Sequence, residues 1–514
     1  MKVAIVGSGV SGLAATWLLN EFSDHEVHLY EADDRPGGHA NTVTYKPPGK
    51  EETVEVDTGF IVFNPATYPN FIAFLNSYPH LRASILPTEM TFSVSRDKGL
   101  FEWAGNNLMT VFTQPSRLLD TKMWRLIYDV LRFNACARRL VMEKKGGEGG
   151  DDISIGDYLE REGYSDAFRD NYLIPMTAAI WSTPPDKCAL DFPARTLIQF
   201  MNNHHLLQIT GKPKWLTLRG GSRVYVKQIL STLPQAQLHL STPIDSISTS
   251  PSTSNKIELK TASGNIETFD RVILACHSDT ALSILKRGQG LTTEEERILG
   301  KFKWNRNEAV LHSDVNLMPK SRLAWSCWNY LTSSAVDEKG RRKPNVDQVA
   351  LTYWMNDLQH LPEKRHGPVL VTLNPPFEPA EDKFGGRYKY DHPVLDADAI
   401  QAQREISAIQ NTRGIAYAGA WLKYGFHEDG FTSGLRAALG LFPDDNKERP
   451  SIRPPFKVQS AEREPKPVLV APLFDILEGT GLRALLGTIL AIWVGLIRRV
   501  FEIAFMLDLS HLDQ

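Results

Sequence analysis

The stretch A-I-V-G-S-G-V-S-G-L-A-A-T-W-L-L, Ala4 to Leu19, constrains this chain more than any other. An apolar run enters three glycines, Gly7, Gly9 and Gly12, and leaves as a helix-forming run rich in alanine and leucine. In a G-x-G-x-x-G turn between strand and helix, the first glycine permits the tight turn and the second lets a pyrophosphate reach the backbone. The third lets the helix pack closely on the sheet. The free N–H groups and positive dipole end of the helix then face the phosphates. Glu31 closes the next strand, V-H-L-Y-E, where a carboxylate accepts hydrogen bonds from ribose hydroxyls. A dinucleotide is the expected guest; a glycine turn that merely packs helix on strand would need no acid in this register.

Strand, glycine turn, helix and the second strand E-V-H-L-Y-E-A make residues 1–60 a βαβ opening. Phe71 to about Leu140 reads as amphipathic helices, ending in the glycine-rich loop E-K-K-G-G-E-G-G-D-D. Ser154 ahead of Asp157 predicts a capped helix running into a second one. β patterning returns near residue 215, and R-V-I-L-A-C has the continuous apolar character of a buried parallel strand. G-I-A-Y-A-G-A-W-L-K-Y-G-F-H-E-D-G-F-T-S-G-L-R-A-A-L-G-L-F is once more strand, loop and helix. The expected fold class is therefore α/β. A Rossmann-like dinucleotide domain is drawn from residues 1–60, 215–290 and 401–445, interleaved with a mixed α+β substrate domain from 61–214 and 291–400. A proline- and charge-rich linker, 446–472, leads to an apolar C-terminal helix within 473–514.

Composition narrows the partners. With 42% hydrophobic residues in 514, the chain has material for large cores, and a formal net charge of -3 with no basic stripe argues against nucleic acid. Cys136, Cys188, Cys276 and Cys327 form no C-x-x-C pair, so neither a metal site nor a disulfide framework is expected, which fits a reducing compartment. The first strand begins directly after Met1 and leaves no room for a secretory signal. The expected location is intracellular, in the cytoplasm or on the cytosolic face of a membrane. The apolar run Ala484 to Ile497 lies between Arg483 and the pair Arg498–Arg499. It is shorter than the roughly 20 residues a spanning helix needs, so membrane contact through residues 482–507 is expected from an interfacial helix. A buried core helix is the alternative.

E-A-D-D-R-P-G-G, Glu31 to Gly38, resembles the E-x-x-x-R-x-G-G continuation of the FAD-binding glutathione-reductase and amine-oxidase superfamily. Further along, D-T-G-F-I-V-F-N (57–64), L-R-G-G-S-R-V-Y-V (218–226), D-R-V-I-L-A-C-H-S-D (270–279), A-W-S-C-W-N-Y-L (324–331) and G-F-H-E-D-G-F-T-S-G-L-R-A-A (425–438) are similar to one branch of the flavin amine-oxidase and phytoene-desaturase group. That branch holds NAD/FAD-binding proteins like the flavoprotein domain fused to plant cyclopropane fatty-acid synthases, and is more distantly similar to polyenoic fatty-acid isomerase. The resemblance covers about residues 1–440 and not the tail. It implies FAD, with Gly37 and Gly38 bringing a second stretch of backbone to the pyrophosphate and Arg35 supplying charge nearby. His39 would lie by the pyrophosphate or ribityl chain and Ile244 beside the adenine, while Gly419, Gly430 and Ser433 would belong to the flavin-facing end. The helix following Gly430 would point its N-terminus at the flavin N1 and C2 carbonyl edge, where negative charge accumulates on reduction. Gly419 is followed by Ala420 where the wider pattern has an acid, which leaves Glu428 or Asp429 to take a polar role. No cysteine lies between Gly419 and Leu435, so the FAD is expected to be non-covalent.

Flavin chemistry on a C–H bond needs a carbon placed against N5 and often a base or orienting group. His427 and Glu428, just ahead of the flavin-facing helix, are the catalytic candidates, with loop stabilisation as the equal alternative. His277 and His312 follow, each more commonly a structural histidine. Trp304, Trp325, Trp328, Tyr330, Tyr353, Trp354, Trp421 and Tyr424 would wall an apolar tunnel. The expected function is FAD-dependent oxidoreduction of a hydrophobic substrate, fatty acyl or isoprenoid, by desaturation, saturation or double-bond isomerisation. An electron acceptor or a lipid-modifying enzyme would be its partner. Two other readings stand: an amine oxidase releasing peroxide, and a membrane-associated flavin-binding partner with no catalysis of its own.

Overall fold

The computed structural model describes residues 1–143, 153–181, 190–208, 211–249, 256–336, 342–344, 349–442 and 452–505. Most of the E-K-K-G-G-E-G-G-D-D loop, Cys188, the first linker residues and the last nine of the chain lie outside them. Lys2–Val6 sits at the centre of a five-stranded parallel sheet, in the order Ile415–Tyr417, Arg271–Leu274, Lys2–Val6, Glu26–Tyr30, Leu238–His239. Val3, Ala4 and Ile5 are buried, as a strand covered on both faces requires. One cover is the helix Val10–Phe22, whose middle nine residues are all buried and which lies against the helix His427–Gly440. The strands come from segments 1–60, 215–290 and 401–445, so the sheet closes only when late sequence returns to early sequence.

On the other side stands a seven-stranded sheet in the order Phe384–Val394, Lys303–His312, Leu370–Leu373, Ala350–Trp354, Trp328–Thr332, Phe92–Arg96, Phe101–Ala104. All its pairings are antiparallel except that of Trp328–Thr332 with Phe92–Arg96. The last two strands, with Ile85–Thr88, fall inside the stretch the sequence reads as helical, and that reading is corrected. Polar residues at core positions hide the strand pattern: Ser93 Oγ donates to Asn329 Oδ1 at 2.8 Å and Ser95 Oγ to Glu102 at 2.7 Å. Each buried hydroxyl is thus satisfied across the sheet, and the alternation loses its apolar letters. Ser154 caps Ile155–Arg161 by accepting from Asp157 N, as its spacing predicts.

The linker is a strap. Ile452 pairs with Ser23, Phe456 stacks on Trp17 with ring centroids 5.8 Å apart, and Gln459 and Asn70 exchange two hydrogen bonds. Arg463 N donates to Asn203 Oδ1, and its carbonyl accepts from Gln199 and Asn202. The short helix Ala471–Gly479 then lies on the helix Thr121–Cys136, where Arg139 grips Asp475 through two bonds of 2.7 and 2.8 Å and Tyr128 donates to Glu478. Beyond it the tail helix Leu482–Phe505 touches Thr121–Cys136 and Pro115–Leu119 but stays largely uncovered, with Val494 its one buried residue among those described. Trp493 is 62% and Ile503 80% exposed, so the core-helix alternative is set aside. Helical structure runs through the arginine pair, and Leu482–Ala504 is long and apolar enough to cross a membrane, longer than the run bounded by charges implied.

Candidate functional site

A cavity of about 910 Å³ joins the glycine loops to the seven-stranded sheet. At one end Gly7, with φ of 103°, leaves no room for a side chain: a Cβ there would lie 2.9 Å from Ala275 O. A Cβ on Gly12 would lie 1.8 Å from Gly7 O, so this glycine packs helix on turn and does not line the cavity. Gly9 differs, since nothing stands within 4 Å of where its Cβ would be, and its bare backbone opens into the cavity. The second glycine loop lies across the first, with Gly38 facing Gly9 Cα and Gly37 N donating to Ser8 O at 3.1 Å. Arg35 Nη1 donates to Gly38 O at 3.0 Å, which braces that loop from within. Glu31 accepts from Ser8 N at 2.9 Å and from Asp33 N at 3.0 Å, fixing its carboxylate at the cavity edge.

Three histidines from three elements gather beside this turn. His39 packs on Tyr390 and stands edge-on to His392, while His277 stacks on Trp304 with centroids 3.8 Å apart. Burial lowers the pKa of each, that of His392 to about 4, so the imidazoles are neutral without an anion. His39 Nε2 is buried and has no hydrogen-bond partner. An open backbone at Gly9, two apposed glycine loops and an unpartnered imidazole nitrogen are what an extended, pyrophosphate-bearing dinucleotide would fill. Ile244 does not line the cavity; it begins the strand Ile244–Thr249 and packs in the core with Tyr30 and Phe269.

The helix His427–Gly440 begins earlier than the sequence reading, with His427 and Glu428 in its first turn and Gly430 inside it. Gly430 and Gly434 are contact points: a Cβ on the first would stand 2.5 Å from Val10 Cγ1, and on the second 2.0 Å from Ser11 O. Ser433 Oγ accepts from Gly419 N at 2.9 Å and donates to Gly430 O, tying the turn at Gly419 to the helix, and Gly419 lines the cavity. His427 also lines it, stacked on Phe60 at 3.6 Å and hydrogen-bonded through Nε2 to Tyr225 Oη at 2.9 Å. Burial pushes its pKa down to about 3, which makes it a neutral polar wall and a poor proton acceptor. The structure does not bring Glu428 to the cavity. Its carboxylate accepts from Asn70 N, Phe71 N and the Asn70 side chain, capping the helix Pro69–Asn76. Burial raises its pKa to about 7 while those donors pull it down. His312 is likewise remote, bonded to Thr372 Oγ1 inside the large sheet.

Of the aromatic set, Trp304, Trp328, Tyr353, Trp421 and Tyr424 line the cavity, whereas Trp325, Tyr330 and Trp354 do not. The chamber is completed by Met90, Ile180, Trp181, Phe200, Leu206 and Trp215, with His204 among them. These residues come from separate helices and strands, and no spacing in the sequence marks them. Asp57 was also not singled out: it accepts from Ser222 N, Thr42 Oγ1 and Gln359 Nε2, so the D-T-G-F and L-R-G-G-S-R motifs meet at one buried carboxyl.

The sequence profile of flavin containing amine oxidoreductases matches residues 10–307. No curated protein matches the chain. Among solved structures, the CLA-producing fatty acid isomerase from P. acnes is 14% identical with a TM-score of 0.56, covering 84% of this chain and 97% of that one. Cyclohexylamine oxidase from Brevibacterium oxydans IH-35A is 14% identical with a TM-score of 0.56, over 86% of this chain and 98% of that one. A putative protoporphyrinogen oxidase from Exiguobacterium sp. 255-15 is 16% identical with a TM-score of 0.55, over 85% and 97%. At such identities the likeness speaks for the fold alone.

Proposed function

The chain belongs to the flavin containing amine oxidoreductase family and is an FAD-dependent oxidoreductase, and from that premise we propose that it oxidises, reduces or isomerises a carbon chain of a lipid-like substrate with non-covalent FAD. The observation that carries the reading is the continuity of the cavity, from bare glycine backbone at one end to an apolar aromatic chamber at the other. Bound flavin would supply reversible two-electron acceptance from a C–H bond. Gly7, Gly9, Gly37 and Gly38 would hold the pyrophosphate with backbone, and Glu31 would hold the ribose. The first turn of His427–Gly440 would meet the ring end, with neutral His427 and Phe60 excluding water. The cavity wall also carries Arg306, Glu308, Lys389 and Asp391, so a hydrocarbon would lie along the aromatic and aliphatic part of it. The exposed tail helix would seat the protein on a lipid surface from which such a substrate arrives. A desaturase of this kind would pass its electrons to an acceptor or to a lipid-modifying partner, whereas an isomerase needs neither.

The test is the visible flavin spectrum of the full chain, followed without oxygen as lipid extract and then a panel of amines is added. Bleaching, or a transient bleach, with lipid supports the reading. Bleaching with amines alone, together with peroxide in air, replaces it with amine oxidation, and flavin that nothing reduces replaces it with a non-catalytic role. Acid precipitation that leaves yellow colour in the pellet overturns non-covalent binding.

A further inference from the structure

His204 closes the helix Ala194–Asn203, and its ring lies between Phe200, stacked at 4.1 Å, and Phe426, at 4.9 Å, with the Tyr424 ring edge-on. Nδ1 is 3.0 Å from Phe200 O. A carbonyl only accepts, so Nδ1 carries the proton and Nε2 carries a bare lone pair. Among the described residues Nε2 has no partner, and the residue lines the cavity. Burial pushes the imidazole down to about 4, and Lys423 and His205 act in the same direction, so the ring is neutral. Its neighbours are pinned: Asn203 holds Arg463 N at 3.0 Å and Arg463 Nη1 lies 2.9 Å from His205 Nδ1, so the strap fixes the backbone behind the ring.

We infer that His204 is the polar anchor for the substrate, and that the substrate is an apolar molecule bearing a hydroxyl, which gives its hydrogen to His204 Nε2. The inference rests on the reading of the aromatic chamber as the substrate site. A neutral acceptor beside apolar rings discriminates by what it leaves unpaired. A carboxylate brings a charge and offers no hydrogen to the lone pair, and an ether offers none either. An alcohol offers one. No proton leaves the substrate in this contact; it orients and selects.

The experiment uses the flavin-loaded full chain in detergent, titrated with 1-octadecanol, its methyl ether and octadecanoate, with the perturbed flavin absorption reporting binding. The wild type is expected to bind the alcohol at least about ten-fold more tightly than the ether. His204→Phe, which keeps the ring stack, should erase that preference without loss of flavin. His204→Gln, which restores an acceptor, should recover part of it, and it decides the matter should the phenylalanine variant fail to hold flavin. Equal binding of alcohol and ether by the wild type, a preference that survives in both variants, or tightest binding of octadecanoate overturns the assignment of His204 while leaving the chamber reading in place. Failure of all three probes to bind the wild type overturns the chamber reading and the anchor with it.

Discussion

Two helices of this chain are mostly apolar, and they have opposite fates. Val10–Phe22 buries nine consecutive residues, while Leu482–Phe505 exposes nearly all of its own. Both carry glycine. In the first pair of helices a Cβ at Gly12, Gly430 or Gly434 would collide with a neighbour; in the tail, Gly487 and Gly495 have nothing within 4 Å. The lesson is that hydrophobicity names a demand for cover without naming the cover. For the first helix the cover is the parallel sheet and a second glycine-bearing helix; for the tail it lies outside this fold, and a lipid surface is the proposed answer.

The sharpest way to break this contrast is to add one methyl to each helix. Gly434→Ala would place a carbon 2.0 Å from Ser11 O and is expected to cost about 3 kcal/mol or more, with loss of flavin. Gly487→Ala meets nothing and should leave flavin content and the urea midpoint in place, gaining at most about 1 kcal/mol of helix propensity. Equal destabilisation of the two variants would mean that the tail is packed after all. Removal of residues 482–514 should keep flavin and melting temperature while lowering co-sedimentation with phospholipid vesicles by about ten-fold or more. A fall in melting temperature without change in sedimentation reverses the reading of the tail.

Glu428 sharpens the buried half of the comparison. Its folded pKa of about 7 lies above the ordinary 4.5, so the folded state holds the proton more tightly than the unfolded one. Its contribution is therefore complete below pH 4.5 and is lost as pH rises towards 7. Urea titrations of wild type minus Glu428→Gln across that window should show a fall of about 3 kcal/mol in all as pH rises. Asp57 and Asp429, both pushed up to about 6 by burial, slope the same way and cancel in the difference. A flat difference curve means that the helix-capping hydrogen bonds hold the carboxylate ionised. Smallest is the clasp before the tail: Arg139 and Asp475 are both well exposed, and a double-mutant cycle should return about 0.5 kcal/mol or less.

What could be read from letters was the part built from local rules. The strand, the three glycines, Glu31 and the second glycine pair stand in one short stretch, and the structure brings Gly7, Gly9, Glu31, Gly37 and Gly38 to one end of one cavity while Gly12 packs the helix on the turn. The apolar tail was legible for the same reason, although charges at Arg498 and Arg499 shortened it in the reading while the helix passes through them. The strands at Phe92–Arg96 and Phe101–Ala104 were not, because their buried serines are satisfied only by partners more than two hundred residues away or on the neighbouring strand. Glu428 was placed near the flavin by its position in the motif, but a side chain's direction depends on which helix end it meets, here Pro69–Asn76. His204 carries no local mark at all. Its tautomer is set by a carbonyl four residues back and its role by rings brought in from residues 424 and 426.

The closing of the parallel sheet by Ile415–Tyr417 has a consequence for synthesis. The N-terminal strands and helix leave the ribosome first, yet the helix that interlocks with Val10 and Ser11 emerges only after residue 440. At about 5–20 residues per second, this leaves the apolar face of Val10–Phe22 uncovered for roughly 20 to 80 seconds in every molecule made. Until then the face of Val10–Phe22 that meets His427–Gly440 has no partner within the chain, and the cavity wall supplied by that late helix is missing.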